Sequence, residues 1–254
     1  NHEQQLAYEL IANTNSSFFL TGRAGTGKTT FLRNVQKMVD KQFITLAPTG
    51  VAAILAGGDT IHSFFGLPME VCTPGTCGKM NEARILTLLH ADTIIIDEVS
   101  MVRCDIVDAI DCTLRRTLRT TLPFGGKQII FVGDMFQLPP VVRQGAEREL
   151  LHDIYRSNDF FFYKADAIKR MRLAKIEFQK VYRQDEDPQF LRILENVRMN
   201  KVTTDDIMRL NRRVVKPEPK DGMVITLASL NKTADGINQQ RLAEIDSEEF
   251  TYEG

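Results

Sequence analysis

With 254 residues, 43% of them hydrophobic, the chain is long enough for one large α/β domain and for part or all of a second. Its 32 basic and 33 acidic side chains leave a formal charge of -1, which excludes coating nucleic acid by bulk attraction and requires any nucleic-acid site to be local. No run approaches the roughly 18 consecutive apolar residues of a membrane span, and the N-terminus has no signal-peptide pattern. The expectation is therefore no membrane partner and an intracellular location: cytoplasm or nucleoid in a bacterium, nucleus or mitochondrion in a eukaryote.

Residues 4–13 place apolar side chains three and four apart, as an amphipathic helix does, and the β-branched and aromatic run 17–20 follows as a strand. Next, Gly22-Arg23-Ala24-Gly25-Thr26-Gly27-Lys28-Thr29 matches G-x-x-x-x-G-K-[ST], between that strand and a second helical stretch over 28–39. The glycines permit a turn that aims successive backbone N–H groups at phosphate oxygens, and the helix behind it presents its positive end. Lys28 is placed to hold the β- and γ-phosphates of a nucleotide, and Thr29 a magnesium ion.

A strand over 43–47 comes next, and the stretch 66–80, which carries Pro68, Pro74, Gly75 and Gly78 with little period, reads as an excursion from the sheet. The four cysteines, Cys72, Cys77, Cys104 and Cys112, lack paired metal-site spacing and read as ordinary thiols. The apolar run 93–96 ends in Asp97-Glu98, two carboxylates delivered where a buried strand stops. Asp97 is expected to bind the magnesium, directly or through water, and Glu98 to polarise the water that attacks the γ-phosphate.

After a helix over 105–118, the strand 128–132 leads into Gly133-Asp134-Met135-Phe136-Gln137. An amide at Gln137 can donate to a phosphate oxygen and accept from water, and so report the γ-phosphate. A strand at 176–178, a break near 184–188, a helix over 189–197 and a strand over 223–227 complete the pattern. Strands alternating with helices predict an α/β fold, a parallel sheet flanked by helices. Basic residues gather at Arg115, Arg116 and Arg119 and along 164–175 and 209–220, and solvated helix faces are the plainer account of them.

Several stretches, in this order, resemble the early motifs of Pif-type helicases of superfamily 1: residues 22–30, Ala47-Pro48-Thr49-Gly50, Thr60-Ile61-His62-Ser63-Phe64, Asp97-Glu98-Val99-Ser100-Met101, residues 133–140, and Val181-Tyr182-Arg183-Gln184. Pro123-Phe124-Gly125-Gly126-Lys127-Gln128 resembles the end of that family's signature element. The resemblance implies a RecA-like phosphate-loop NTPase with the beginning of a second RecA-like domain. Residues 1–180 would be the first domain, with 66–80 as a wedge-like insertion, and 181–254 part of the second. It further implies a motor, expected as a monomer, that uses ATP and magnesium to move 5′ to 3′ on single-stranded DNA and to separate strands at duplex junctions.

By the same resemblance, ATP contacts fall to Gln4, which would read adenine, to Gly22, Ala24, Gly25, Thr26, Gly27, Lys28, Thr29 and Thr30, and to Tyr182, which would stack on the base. Arg183 corresponds to an arginine finger and completes a catalytic set with Lys28, Glu98 and Gln137. Pro48, Thr49, Gly50, His62 and Ser63 fall in motifs that touch the DNA backbone. Outside those motifs His62 would read as structural, Tyr182 as core, Gln137 as loop and Arg183 as surface charge.

Two later motifs of such helicases, one with a Ser-Gln-Gly-like core and one with a second arginine, have no match before Gly254, so the chain is expected to stop midway through its second domain. One rival reading is a phosphate-loop kinase or ATPase acting on a small molecule, which shares Lys28, Thr29 and Asp97 but leaves Gln137 and Arg183 unexplained. Another is a nucleotide-gated DNA-binding fragment without turnover.

Overall fold

The computed structural model describes residues 1–182, 187–214, 225–247 and 250. Its elements begin with α1 (His2–Asn13), β1 (Phe18–Gly22), α2 (Lys28–Met38), β2 (Phe43–Ala47), α3 (Gly50–Ala56), β3 (Asp59–Thr60), α4 (Ile61–Phe65), α5 (Glu82–His90) and β4 (Thr93–Ile96). They continue with α6 (Cys104–Thr117), β5 (Gln128–Val132), α7 (Ala146–Tyr155), α8 (Asp166–Lys169), β6 (Ala174–Phe178), α9 (Pro188–Arg198), α10 (Thr204–Asn211) and α11 (Asn231–Ala243). The strands over 43–47, 93–96 and 128–132 stand where the sequence pattern put them. The strand expected over 223–227 does not form in its described part, 225–227, while residues 223 and 224 lie outside the described residues.

The strands pair in parallel in the order β3-β2-β4-β5-β1-β6. Consecutive strand residues point to opposite faces, and both faces are covered. Ile94, Ile96, Ile129 and Phe131 join Phe65, Leu88 and Ile110 in one core, while Ile95, Ile130 and Val132 join Ala7, Ile11, Leu32 and Val35 in the other. That double burial is why these strands read as unbroken apolar runs rather than alternating ones. Each such Ile or Phe, removed from water, contributes about 1.5–3 kcal/mol.

One buried amide fixes α1 to the sheet. Gln128 Nε2 donates to the carbonyls of Leu10, Thr14 and Ser16 at 3.0, 3.2 and 2.9 Å, and its Oε1 accepts the Thr93 hydroxyl at 2.8 Å.

Residues 66–80 leave the sheet as expected, forming neither helix nor strand beyond the end of α4, and fold back over α6. Asp105 Oδ2 accepts the Cys72 N–H at 2.9 Å, and Thr113 Oγ1 accepts that of Gly78 at 2.7 Å. Here one expectation fails. Cys77 and Cys112 are not free thiols but a disulfide, with Cα atoms 5.3 Å apart. They are separated by 35 residues, so only the return of the excursion to α6 brings them together, and no local spacing announces the pair. Cys72 and Cys104 are thiols, and burial pushes each up to about 12.

The chain divides into two compact units, Asn1–Val202 and Thr203–Gly254. The first carries the sheet and α1 to α9. The second carries α10, which opens with a capping box between Thr203 and Asp206, and α11. The first unit runs past residue 180, where the motif reading ends the first domain, because α9 is paired to it through Arg23–Glu195 and Arg198–Asp134. Among the described residues no helix is long and apolar enough to cross a membrane.

The buried carboxylate of Asp111 gathers three donors: the Phe124 N–H at 2.6 Å, Arg115 Nε at 2.8 Å and Arg170 Nη2 at 2.9 Å. Both arginines reach solvent and can be rehydrated, whereas the Phe124 amide cannot. Asp111→Ala therefore costs less than breaking a fully buried pair, about 1–3 kcal/mol for the stranded amide. Urea unfolding, with unchanged slope, should show a midpoint lowered by that free energy divided by the slope.

Candidate active site

β1, β4 and β5 end side by side, since Leu20 pairs with Val132 and Ile96 with Phe131. The segments that follow them enclose a cavity of about 310 Å³ lined by Ala24, Gly25, Gly27, Lys28, Thr29, Thr30, Asp97, Glu98, Gly133, Asp134 and Gln137. Two glycines make the close approach possible. Gly22 has φ +147, and a Cβ there would stand 2.6 Å from the Phe178 carbonyl oxygen; one on Gly133 would stand 3.1 Å from the Val99 nitrogen. Lys28 opens α2, and its ammonium donates to the carbonyls of Gly22 at 2.6 Å and Arg23 at 3.1 Å.

The cavity concentrates charge that is half-buried at Lys28, Asp97 and Glu98 and buried at Asp134. Burial pushes the Lys28 ammonium below its ordinary value, against the pull of Asp134, Glu98 and Asp97. Burial likewise raises Asp97, against the Glu98 N–H that Asp97 Oδ1 accepts at 2.9 Å and the charges of Lys28 and Arg33. It raises Glu98 as well, and neighbouring Asp97 adds to the rise. Glu98 sits at φ 50, ψ 41, a left-handed conformation uncommon for a residue with a Cβ and frequent at functional sites. Asp134 behaves differently. Burial would raise it, yet hydrogen bonds from Arg198 and the Phe136 N–H hold it below the usual carboxylate range.

The nucleotide contacts expected elsewhere are only partly gathered here. The Tyr182 ring lies beside the phosphate loop, where a Cβ on Gly27 would meet it at 3.7 Å, and the Tyr182 N–H donates to the Gly25 carbonyl at 2.9 Å. Gln4 does not line the cavity: it belongs to the capping box of α1, its backbone N–H donating to Asn1 Oδ1 at 2.9 Å. Arg183 lies outside the described residues. Thr26 and Gly22 shape the loop without lining the cavity, Thr26 Oγ1 donating to the Arg23 carbonyl at 2.9 Å.

Of the residues expected at DNA, Pro48, Thr49 and His62 line a separate cleft of about 250 Å³ with Ile61, Met69, Met101, Val102, Arg103, Ile106 and Val141. Gly50 and Ser63 stand outside it. Gly50 begins α3, and Ser63 accepts Arg84 at its carbonyl and, at 2.8 Å, at its hydroxyl. Burial, with Arg103 nearby, keeps the His62 ring below its ordinary value and therefore neutral at pH 7. Between cleft and phosphate cavity lies a third cavity of about 330 Å³, whose walls include Thr29, Asp97, Glu98 and Gln137 from the one and Thr49 and Met101 from the other.

Sequence reasoning passed over Asp134 and Arg198. Asp134 had a signal, since it follows Gly133 within the quoted motif, but nothing local points to Arg198, 64 residues downstream. Among the described residues no three His, Cys, Asp or Glu side chains gather as a metal site.

A family model described as PIF1-like helicase matches residues 1–207. The chain is 31% identical to the ATP-dependent DNA helicase PIF1 of Saccharomyces cerevisiae over 96% of its own length, and 33% identical to the ATP-dependent DNA helicase Pif1 of Bdellovibrio bacteriovorus over 99%. It spans 28% of the yeast protein and 55% of the bacterial one. A crystal structure of the Bacteroides Pif1 helicase in complex with ADP-AlF3 and single-stranded DNA superimposes with a TM-score of 0.88 at 40% identity, covering 98% of this chain and 58% of that one. The fold is thus that of a RecA-like phosphate-loop NTPase, as the motifs implied.

The raised carboxylates have a measurable consequence. A folded-state pKa above the unfolded one makes ionised Asp97 a cost to stability above that pKa, and the cost vanishes once pH falls below the ordinary carboxylate range near about 4. Asp97→Asn should therefore unfold at higher urea concentration than wild type at neutral pH, and the difference should close as the two are acidified.

Proposed function

The chain belongs to the PIF1-like helicase family, and on that premise we propose that it forms the nucleotide-hydrolysing core of an ATP-dependent motor that moves 5′ to 3′ on single-stranded DNA and separates duplexes. The observation that carries this reading is the shared wall. Thr49, in the cleft proposed for DNA, and Glu98 and Gln137, in the phosphate cavity, face one intervening cavity. Membership of a helicase family, rather than the cavities themselves, sets aside an enzyme acting on a small molecule.

The chemistry follows from the residues present. Lys28 offsets negative charge on the β- and γ-oxygens, where positioning and electrostatics supply most of the catalysis. Glu98 accepts a proton from the attacking water as its oxygen bonds to the γ-phosphorus. The bond from that phosphorus to the bridging oxygen breaks, and ADP leaves with the electron pair. Gln137 orients the water and senses the γ-phosphate.

The donor set suits magnesium: the Thr29 hydroxyl and the Asp97 carboxylate are hard oxygens, and burial leaves Asp97 short of compensating positive charge. Bound there, the ion would neutralise charge on the β- and γ-oxygens.

Gln4 and Tyr182 are proposed to meet the adenine, with Tyr182 supported by its place beside Gly27. Pro48, Thr49, Gly50, His62 and Ser63 are proposed to meet the DNA backbone, residues 66–80 to act as a strand-separating wedge, and residues 181–254 to begin the second RecA-like domain. Arg183 would reach the γ-phosphate when the two lobes close, so that DNA-driven closure triggers hydrolysis.

Three variants test the division of labour in the whole protein. Lys28→Ala should abolish both ATP turnover and unwinding of a 5′-tailed duplex. Glu98→Gln should stop turnover yet bind ATP nearly as wild type does, and equal loss of ATP affinity in Glu98→Gln and Asp97→Asn would show the roles wrongly divided. Steady-state hydrolysis at saturating single-stranded DNA tests the trigger. Arg183→Ala should lose most of the DNA-stimulated rate, on the scale of about 10³–10⁵ that such fingers supply in phosphate-loop GTPases. Arg183→Lys should recover little, because the fork of the guanidinium is gone.

A further inference from the structure

Behind the phosphate cavity stands a charge pair that the reaction as described does not use. Arg198, the last residue of α9, donates to Asp134 twice, Nε to Oδ2 at 3.1 Å and Nη2 to Oδ1 at 2.9 Å. The two side chains are 17% and 2% exposed, so the pair is shielded from screening. The same guanidinium lies 4.4 Å from the centre of the Phe136 ring. Asp134 in turn organises the loop after β5. Its Oδ1 accepts the Phe136 N–H at 3.1 Å, its Oδ2 accepts Gln137 Nε2 at 3.4 Å, and its carbonyl accepts the Gln137 N–H at 2.9 Å.

Asp134 lines the phosphate cavity, and Arg198 does not. An unpaired carboxylate in that position would repel a terminal phosphate, and the Asp134 side chain that anchors the Gln137 loop would lose the two hydrogen bonds that fix its own orientation. We propose that Arg198 is a positioning residue for γ-phosphate recognition: acting through Asp134, it fixes the loop that presents Gln137 and cancels a negative charge facing the phosphate. A second contact of α9 to the nucleotide side, Arg23 to Glu195 at 3.3 Å, is a half-exposed surface pair and contributes little. The inference rests on the triphosphate reading of the cavity given above.

A strut that merely holds α9 in place would treat all nucleotides alike, and this separates the alternatives. Equilibrium titrations with fluorescent ATPγS and ADP, each with magnesium, give the preference for a third phosphate. Wild type should prefer ATPγS. Arg198→Met should reduce that preference about tenfold, the scale of one lost charge-assisted hydrogen bond, while the ADP affinity stays within about twofold. Arg198→Lys keeps the charge but not the fork and should restore part of the preference. In a Gln137→Ala background, Arg198→Met should lower the preference by a smaller factor than in wild type, because the part that acts through Gln137 is already lost and only the exposed Asp134 charge remains.

An unchanged preference in Arg198→Met overturns the proposal, as does equal weakening for both nucleotides. Should Arg198→Met fail to fold, Arg198→Lys decides by the same ratio, a wild-type ratio counting against the proposal. A wild type that binds neither nucleotide refutes the triphosphate reading itself, whereas one that prefers ATPγS while ignoring Arg198 refutes only this inference.

Discussion

Parallel pairing of β1 with β5 and of β5 with β4 brings Gly22, Asp97 and Gly133 to the same carboxyl end of the sheet. Parallel strands need long crossover connections, and the helices that make them cover both faces of the sheet. The interior is thereby filled with apolar side chains, and the polar work is left to the carboxyl ends of the strands. A shift of β5 by one residue would turn Ile129 and Phe131 out of one core and into the other, so the hydrophobic pattern itself holds the site in register.

The chain then places charges where the sheet edge shields them from water. Lys28, Asp97 and Glu98 each carry a cost of burial, and the offset within the chain is incomplete for all three. Such a set is poised to gain from a ligand that brings phosphate to the ammonium and a divalent cation to the carboxylates. Asp134 is the exception, because Arg198 already answers its charge. The contrast marks which carboxylates await a ligand and which one serves the frame.

Most of the sheet was legible because strands buried on both faces leave continuous runs such as 93–96 and 128–132, and the phosphate loop was legible because its glycines, lysine and threonine are contiguous. Asp97, Glu98 and Gln137 could be placed for the same reason, each lying a few residues past a recognisable strand. What escaped depends on distance along the chain. Arg198 meets Asp134 only after α9 returns to the β5 loop, and Cys77 meets Cys112 only after residues 66–80 fold onto α6. The short helices α3 and α4, of seven and five residues, gave too few positions for a period to show.

The phosphate cavity and the cleft proposed for DNA are joined where Thr29, Thr49, Glu98 and Gln137 share a wall. If DNA occupies that cleft, the two ligands are linked, and linkage is reciprocal. The direct measurement is a thermodynamic square on the whole protein: affinity for single-stranded DNA without nucleotide and with saturating magnesium–ATPγS, and affinity for ATPγS without and with saturating DNA. Each ligand should change the affinity for the other by the same factor, within the range of about 5- to 150-fold typical of coupled sites. Two affinities that ignore one another would contradict that linkage.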